Sequence, residues 1–106
     1  MFDTKIKNWF LVSLKNNEEI VTQVLWGIVI HDKKGRWRSD DYVCTSTVVE
    51  KLEDGVYRTL NSEYKCCGEG KEITLGAEAL FELRSGFSPE EYLAMRNLRN
   101  QGFSTE

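Results

Sequence analysis

The pair of residues most able to do covalent chemistry is His31, the only histidine of this 106-residue chain, and Cys44, one of its three cysteines. A cysteine becomes a strong nucleophile when a neighbouring histidine takes its proton, and an oxyanion site and an orienting third residue complete such a centre. Nothing in the pattern around either residue supplies those further parts. We therefore favour a surface or turn role for His31 and predict no catalytic residues and no enzymatic activity.

Cys44, Cys66 and Cys67, together with His31, are also residue types that bind zinc. Zinc sites usually contain two cysteines separated by two residues, whereas Cys66 and Cys67 are adjacent and would chelate one ion awkwardly. An odd number of cysteines and the distortion needed to join neighbours argue against disulfides. The sequence predicts three reduced thiols that act as small hydrophobic side chains, with no metal and no cofactor.

Two other patterns favour structure over chemistry. Asp40 and Asp41 are paired carboxylates, but adjacent residues of a strand point to opposite faces, so we interpret them as turn residues. The glycines of CCGEGKE (66–72) lack the G-x-x-x-x-G-K-[ST] spacing of a phosphate-binding loop.

A basic segment around a tryptophan is the remaining candidate for a binding site. Its residues are Lys33, Lys34, Arg36, Trp37 and Arg38, and Tyr42 borders the same surface. Arginine and tryptophan are enriched at binding hot spots, and such a turn could dock an acidic partner or stack on a nucleobase. The interpretation that we favour is that Trp37 packs into the core while the four cations keep the hairpin soluble and its edge unpaired.

The charge distribution limits the kinds of partner. The chain has a net charge of -3 at pH 7 although residues 33–38 are locally positive, so the remainder is acidic. General affinity for nucleic acid comes mainly from neutralising phosphates, and an acidic body argues against it. We expect an unidentified protein partner, with a second copy of the chain among the candidates. A nucleic-acid-binding accessory protein that uses residues 33–38 is the alternative.

The composition is that of one ordinary globular domain spanning residues 1–106. Apolar residues make up 41%, charged residues 29%, and proline occurs once. Apolar stretches such as Val24 to Ile30 are much shorter than the roughly 20 residues of a membrane-spanning helix. The first residues also lack the pattern of a signal peptide, so we expect a cytoplasmic protein with no membrane contact.

The clearest strand is IVTQVLWGIVIH (20–31), which is rich in β-branched residues and apolar on both alternating sides. Gly27 in its middle indicates a bend or bulge, which small barrels need in order to curl. Asn16 and Asn17 tolerate the positive φ of a hairpin turn, so residues 8–15 are predicted to form the antiparallel neighbour. A helix over 8–15 is the main alternative.

The β-rich part is predicted to cover residues 6–75. Residues 35–49 are expected to form the second arm of the next hairpin, interrupted by the turn-favouring residues 39–41. Glycine-containing turns then separate short strands near 56–60, 63–67 and 71–75.

A helical tail is predicted over residues 77–101. Ser88 is a natural N-cap, Pro89 suits the first helical position, and Glu91 completes a capping box. This helix should run from Pro89 to about Gln101 and end at Gly102, and a short earlier helix over 77–85 should be closed by Gly86. The predicted fold class is α+β: an antiparallel sheet curled toward a small barrel, with two C-terminal helices packed against it.

The stretch WGIVIHDKKGRWRSDDYVCTS, followed by RSGFSPEEY, resembles small uncharacterised proteins of bacterial mobile elements, such as integron gene cassettes and phage genomes. The likeness covers Trp26 to Tyr92 and rests on G-R-W-x-x-D-D-x-V-x-T-S, a structural motif. In such proteins a glycine more often stands where this chain has Asp40, which leaves the type of turn open. The resemblance implies a bacterial accessory protein and no particular reaction.

Overall fold

The computed structural model describes residues 2–100 of the chain, and side chains from residue 2 to residue 98. Seven strands come first and helices follow, which is the α+β class that the sequence predicts. The strands are β1 (Thr4–Asn16), β2 (Glu19–Asp32), β3 (Tyr42–Cys44), β4 (Val48–Lys51), β5 (Val56–Thr59), β6 (Glu63–Cys66) and β7 (Lys71–Gly76). A 3-10 turn at Ala77–Ala79 continues into α1 (Leu80–Arg84), and α2 is Pro89–Asn100. Residues 8–15 therefore belong to a strand, not a helix.

The strands form one sheet in the order β3-β2-β1-β6-β5-β4, with β7 also paired to β1. The sheet is mostly antiparallel, but β1 is parallel to β6 over Thr4–Ile6 and parallel to β7 over Phe10–Lys15. The sheet that the sequence predicts is present, but it does not close into a barrel, since β3 and β4 stand at the two ends of the order. One edge of the long strand β1 pairs with two short strands placed end to end, β6 and β7.

A bulge interrupts the pairing of β1 with β2 opposite Gly27. Lys7 pairs with Ile28 and Phe10 with Trp26, so Asn8 and Trp9 both face Gly27. Asn8 takes a positive φ of 50°, which is uncommon for a non-glycine residue. A Cβ on Gly27 would lie 2.9 Å from Ile6 Cδ1 and 3.3 Å from the Lys7 carbonyl oxygen, so glycine suits the close approach of the two strands. The predicted irregularity is present, but the extra residues are in β1.

The β1–β2 hairpin has a hydrophobic cluster on each face. The first cluster contains side chains of β1, β2, β7 and the helices, namely Phe10, Val12, Leu14, Val24, Trp26, Leu75, Ala79, Leu83 and Tyr92. The second joins the opposite face of the hairpin to β3, β5 and β6 through Ile6, Leu11, Leu25, Val29, Val43, Tyr57, Tyr64 and Cys66. Coverage of both faces explains why both alternating sets of residues in β2 are apolar.

The segment after β2 differs from the prediction of a long hairpin arm. Residues 33–41 form a loop, β3 has only three residues paired with Trp26–Ile28, and the chain bends before β4 starts at Val48. The cause is the Asp32 carboxylate, which accepts hydrogen bonds from the backbone N–H groups of Lys34, Arg36 and Trp37 and so removes them from strand pairing. Asp40 has a φ of 74°, the left-handed region in which glycine is favoured.

The helix signals agree with the structure within the described residues. The Ser88 hydroxyl accepts the N–H of Glu91 at 3.1 Å, and the Glu91 carboxylate accepts the N–H of Ser88 at 2.8 Å, as a capping box requires. Gly86 closes α1 with a φ of 113°, and the N–H of Phe87 reaches the carbonyl of Glu82. The predicted end of α2 at Gln101 and Gly102 lies outside the described residues.

Candidate binding groove

The loop that was predicted to bind a partner is built around the buried carboxylate of Asp32. The side chain of Asp32 has no exposed surface. Besides three backbone N–H groups, it accepts a hydrogen bond from the Thr4 hydroxyl at 2.8 Å. Burial would raise the pKa of Asp32, but hydrogen bonds from Arg36, Thr4 and the loop backbone together hold this pKa well below its ordinary range. Asp32 is therefore ionised and fixes the loop.

The guanidinium of Arg36 is directed into the protein. It donates to Asp32 at 3.2 and 3.3 Å, to the Ser62 hydroxyl at 2.7 Å and to the Thr4 hydroxyl at 3.1 Å. It also stacks on the ring of Trp37, with 4.2 Å between its central carbon and the ring centroid. These contacts use most of the donors of Arg36, so this residue holds β2, the loop and the start of β6 together.

The other predicted residues lie in different environments. Trp37 is half-buried against the second cluster, with its ring 6.4 Å from that of Tyr64. Lys33, Lys34 and Arg38 are exposed. The Lys33 ammonium lies 4.3 Å from the centroid of the Phe2 ring, and Lys34 is 3.9 Å from a carboxylate oxygen of Asp3.

Tyr42 is the first residue of β3 and follows the loop. Its ring stacks on Trp26 with centroids 6.1 Å apart and an interplanar angle of 14°. A cavity of about 540 Å³ is lined by both Trp37 and Tyr42, with Cys44 and Arg84 among others. Tyr42 also lines a neighbouring groove, which the five predicted loop residues do not line.

That groove, which we call the aromatic groove, lies between the β1–β2–β3 strands and the start of α2 and has a volume of about 900 Å³. Its aromatic residues are Trp9, Phe10, Trp26 and Tyr42. Phe10 packs edge-on against Trp26, with ring centroids 6.3 Å apart. Four rings therefore line one concave surface, with Phe10 and Trp26 buried in its floor and Trp9 and Tyr42 more exposed.

Hydrogen bonds to the end of α1 hold two of these rings in place. The Trp26 indole N–H donates to the carbonyl of Leu83 at 3.2 Å, and the Tyr42 hydroxyl donates to the carbonyl of Arg84 at 2.5 Å. Both carbonyls belong to the last turn of α1, where carbonyl groups lack hydrogen-bond partners within the helix and need them from elsewhere. The short helix is thus joined to the sheet by the polar ends of two aromatic side chains.

The bulge and a glycine place the third ring. Trp9 is one of the two residues in the bulge, and its indole N–H donates to the carbonyl of Gly68 at 3.2 Å. The backbone of Gly70 lies against the Trp9 ring so closely that a Cβ there would be 2.3 Å from it. Both glycines of the CCGEGKE segment therefore help to fix the position of the Trp9 ring.

Acidic side chains surround the aromatic groove. Asp40, Glu69, Glu90 and Glu91 line it, against one cation, Lys71. The Lys71 ammonium is 2.5 Å from a Glu90 carboxylate oxygen and 5.9 Å from the centroid of the Phe10 ring.

Two of the other three rim carboxylates have partners within the chain. Asp40 is 3.6 Å from the Lys7 ammonium, and Glu91 belongs to the cap of α2. Within the described part of the chain Glu69 has no ion-pair partner. Four carboxylates against the ammonium groups of Lys71 and Lys7 therefore leave the rim with an excess of negative charge.

Trp9, Phe10, Trp26 and the rim carboxylates were missed as site residues by sequence reasoning. Each tryptophan lies in a strand-forming stretch and reads as a core residue. Their proximity to Glu69 and Lys71 depends on the parallel pairing of β1 with β7, residues 10–15 with 71–76. No local pattern encodes that pairing, and the sequence signal nearest to the groove is Gly27, which indicates the bulge that contains Trp9.

The residues considered for covalent or metal chemistry are placed apart. Cys44 pairs with Trp26, while His31 pairs with Lys5 on the other side of β2, and the two form no hydrogen bond with each other. The three cysteines are free thiols. Burial raises the pKa of Cys44 to about 11 and that of Cys66 to about 12, so neither forms a thiolate readily at neutral pH. Residues 2–100 contain no group of three or more potential ligands arranged for a metal ion.

A family model described as a domain of unknown function, DUF6957, matches residues 4–82. The chain belongs to this family. The DUF6957 match spans all seven strands and reaches into α1, so Trp9, Phe10, Trp26 and Tyr42 lie inside it and α2 lies beyond it. No curated protein and no solved structure matches the chain. Among the described residues, no helix has the length and apolar character that crossing a membrane requires.

Proposed function

We propose that this chain is a non-enzymatic protein-binding module, and that the aromatic groove is its binding surface. The observation that carries the proposal is the set of four aromatic rings that line one open groove, two of them anchored to α1. Tyrosine and tryptophan side chains dominate binding hot spots because they bury much area at a small cost in conformational entropy. Rings already held in place reduce that cost further.

The biological setting of the proposal comes from the resemblance to proteins of bacterial mobile elements. It favours an accessory or regulatory role in the cytoplasm, with a partner that is a protein of the host or of the element, or a second copy of the chain. The basic loop fits the alternative of a nucleic-acid partner less well, because Arg36 makes its hydrogen bonds within the protein. Lys33, Lys34 and Arg38 are left exposed there.

The test is a substitution that blocks the groove without disturbing the fold. Ala94 is exposed, lies in α2 and lines the groove, and arginine is nearly as good a helix former as alanine. The tagged protein should capture a partner from its host, and Ala94→Arg should abolish that capture. Asn97→Arg is the matched control, because Asn97 is exposed on the same helix and does not line the groove.

The result that would contradict the proposal is retention of the partner by Ala94→Arg, measured with both purified proteins by calorimetry. Sedimentation of the wild-type protein shows whether the partner is a second copy. A partner that binds Asn97→Arg and Ala94→Arg equally but is lost with Lys33→Ala/Lys34→Ala/Arg38→Ala would place the function in the loop instead. Salt dependence would then distinguish a nucleic acid from a protein.

A further inference from the structure

We infer that the partner presents a basic segment, and that lysine or arginine side chains of this segment enter the aromatic groove. The inference rests on the proposed function and adds the chemistry of the partner. It follows from two independent features of the groove, which are the charge of its rim and the faces of its rings.

The rim has an excess of negative charge. Its four carboxylates are those of Asp40, Glu69, Glu90 and Glu91, and they stand against two ammonium groups, that of Lys71 beside Glu90 and that of Lys7 beside Asp40. A concave surface with low-dielectric aromatic walls concentrates the field of such charges, which attracts cations and repels anions. An acidic partner would have to bring like charges together, which is unfavourable. A basic partner is the one that the rim complements.

The rings favour the same sign of charge. The face of an aromatic ring carries negative potential and attracts ammonium and guanidinium groups within about 6 Å of its centroid. Lys71 already shows this arrangement at the edge of the groove, since its ammonium lies 5.9 Å from the Phe10 centroid and 2.5 Å from Glu90. A partner cation in the groove would repeat the same combination of ring and carboxylate with Trp9 or Tyr42 and Glu69.

The size of the groove favours a segment of chain over a single ion. A volume of about 900 Å³ exceeds what one side chain occupies. The residues of the rim that carry charge come from three places along the groove: the loop before β3, the turn before β7 and the first turn of α2. Several cations spaced along one strand-like segment could therefore face carboxylates at the same time.

The experiment measures binding of defined peptides to the full chain. The probe is a blocked peptide of alternating lysine or arginine with alanine, and its counterpart has glutamine at every basic position. We expect the basic peptide to bind about tenfold more tightly than the counterpart, by calorimetry at low salt, and to weaken as salt screens the rim.

Two double variants, each of which removes two negative charges, show where on the protein the preference for the basic peptide arises. Asp40→Asn/Glu69→Gln removes two rim carboxylates, and asparagine tolerates the positive φ at position 40. Glu18→Gln/Glu19→Gln removes two exposed carboxylates from the far turn between β1 and β2. The rim variant should lose most of the preference for the basic peptide, and the turn variant should keep it.

Three other results would overturn the inference, the proposed function or both. Equal binding of the basic peptide by both double variants would mean attraction to the acidic body in general and would overturn the inference. Binding of the glutamine peptide as tightly as the basic one, lost in Ala94→Arg, would overturn the inference while the proposed function stands. If neither peptide binds, and Ala94→Arg still retains the captured partner, both the inference and the proposed function are overturned.

Discussion

Asp32 has no exposed side-chain surface, so its charge depends entirely on the hydrogen bonds that surround it. Three backbone N–H groups, the Thr4 hydroxyl and the Arg36 guanidinium supply them. Removing one partner of a buried ion pair is more harmful than replacing both, because the remaining charge is buried without compensation. This residue-scale arrangement gives the loop its shape and gives two predictions.

Arg36→Ala should lower the free energy of unfolding by about 3 kcal/mol, because it leaves the Asp32 carboxylate buried without its cation. Urea unfolding of the purified variant measures the loss. Arg38→Ala is the control, since Arg38 is exposed two residues away and its removal should change stability by less than about 0.5 kcal/mol. Equal stability of both variants would show that the Arg36 contacts contribute nothing.

Stability should also depend on pH through Asp32. The pKa of Asp32 in the folded protein lies below its value in the unfolded chain, so the ionised form stabilises the fold above about pH 4. That contribution is lost as the pH falls from about 4 toward the folded-state pKa. The stability difference between the wild type and Asp32→Asn should therefore be largest near neutral pH and shrink in acid. A difference that stays constant from about pH 6 to pH 2 would contradict the assignment.

Trp37 provides a residue-scale test of the loop. Its ring is half-buried between the Arg36 guanidinium and Tyr64. Trp37→Ala should therefore reduce the unfolding free energy by about 2 kcal/mol, part of what a fully buried aromatic contributes. Leu60→Ala, at a side chain that is 68% exposed, is the control and should be nearly neutral. A Trp37→Ala protein of full stability that no longer binds its partner would instead assign the binding surface to the loop.

Among the helices and strands that form the groove, α2 is the one whose start is signalled most clearly by the neighbouring sequence. Ser88→Ala removes the acceptor for the N–H of Glu91 and should cost about 1 kcal/mol of stability. Ser88→Asp should restore it, because aspartate is an equally good N-cap and its charge suits the helix N-terminus. Thermal unfolding of the three proteins measures the order. If alanine and aspartate behave alike, the cap does not determine where α2 begins.

The elements also show what a sequence can and cannot predict. The cap at Ser88, the glycine that closes α1 and the β-branched apolar run of β2 act within a few residues, and the structure has each of them. Residues 35–49 were expected to form a hairpin arm interrupted only at residues 39–41, but residues 35–38 also belong to the loop, because a buried aspartate that collects backbone N–H groups looks in sequence like any turn residue. The strand propensity of residues 42–49 is realised only in part, as β3 and the start of β4, with a bend between them.

At the scale of the whole molecule, β1 is the central strand. It pairs with β2 along one edge and with β6 and β7 along the other, and Ile6 and Val12 are fully buried. Native-state hydrogen exchange should therefore find the slowest amides in β1 and its partners, and faster exchange in β3 and β4 at the ends of the sheet. Faster exchange in β1 than in β3 would contradict this order of pairing.

The aromatic groove could not be predicted from the sequence, because it depends on the pairing of strands that are distant in the chain. Its aromatic floor comes from β1, β2 and β3 and its rim includes the turn before β7, so it exists only after residues 10–15 have paired with residues 71–76. The sequence names the tryptophans and the carboxylates but gives no signal for that distant parallel pairing. The α+β class was predictable because hydrophobic periodicity and helix caps are local properties.

The parallel pairings of β1 also affect how the protein is made. During translation, residues 4–16 leave the ribosome long before residues 64–76, with which their outer edge must pair. For that interval the nascent hairpin has an edge of unpaired backbone N–H and C=O groups and apolar faces, the combination on which chains aggregate. Distant pairing also slows folding, because a long loop must close first. The cell therefore has to keep a half-made chain soluble until its seventh strand has emerged.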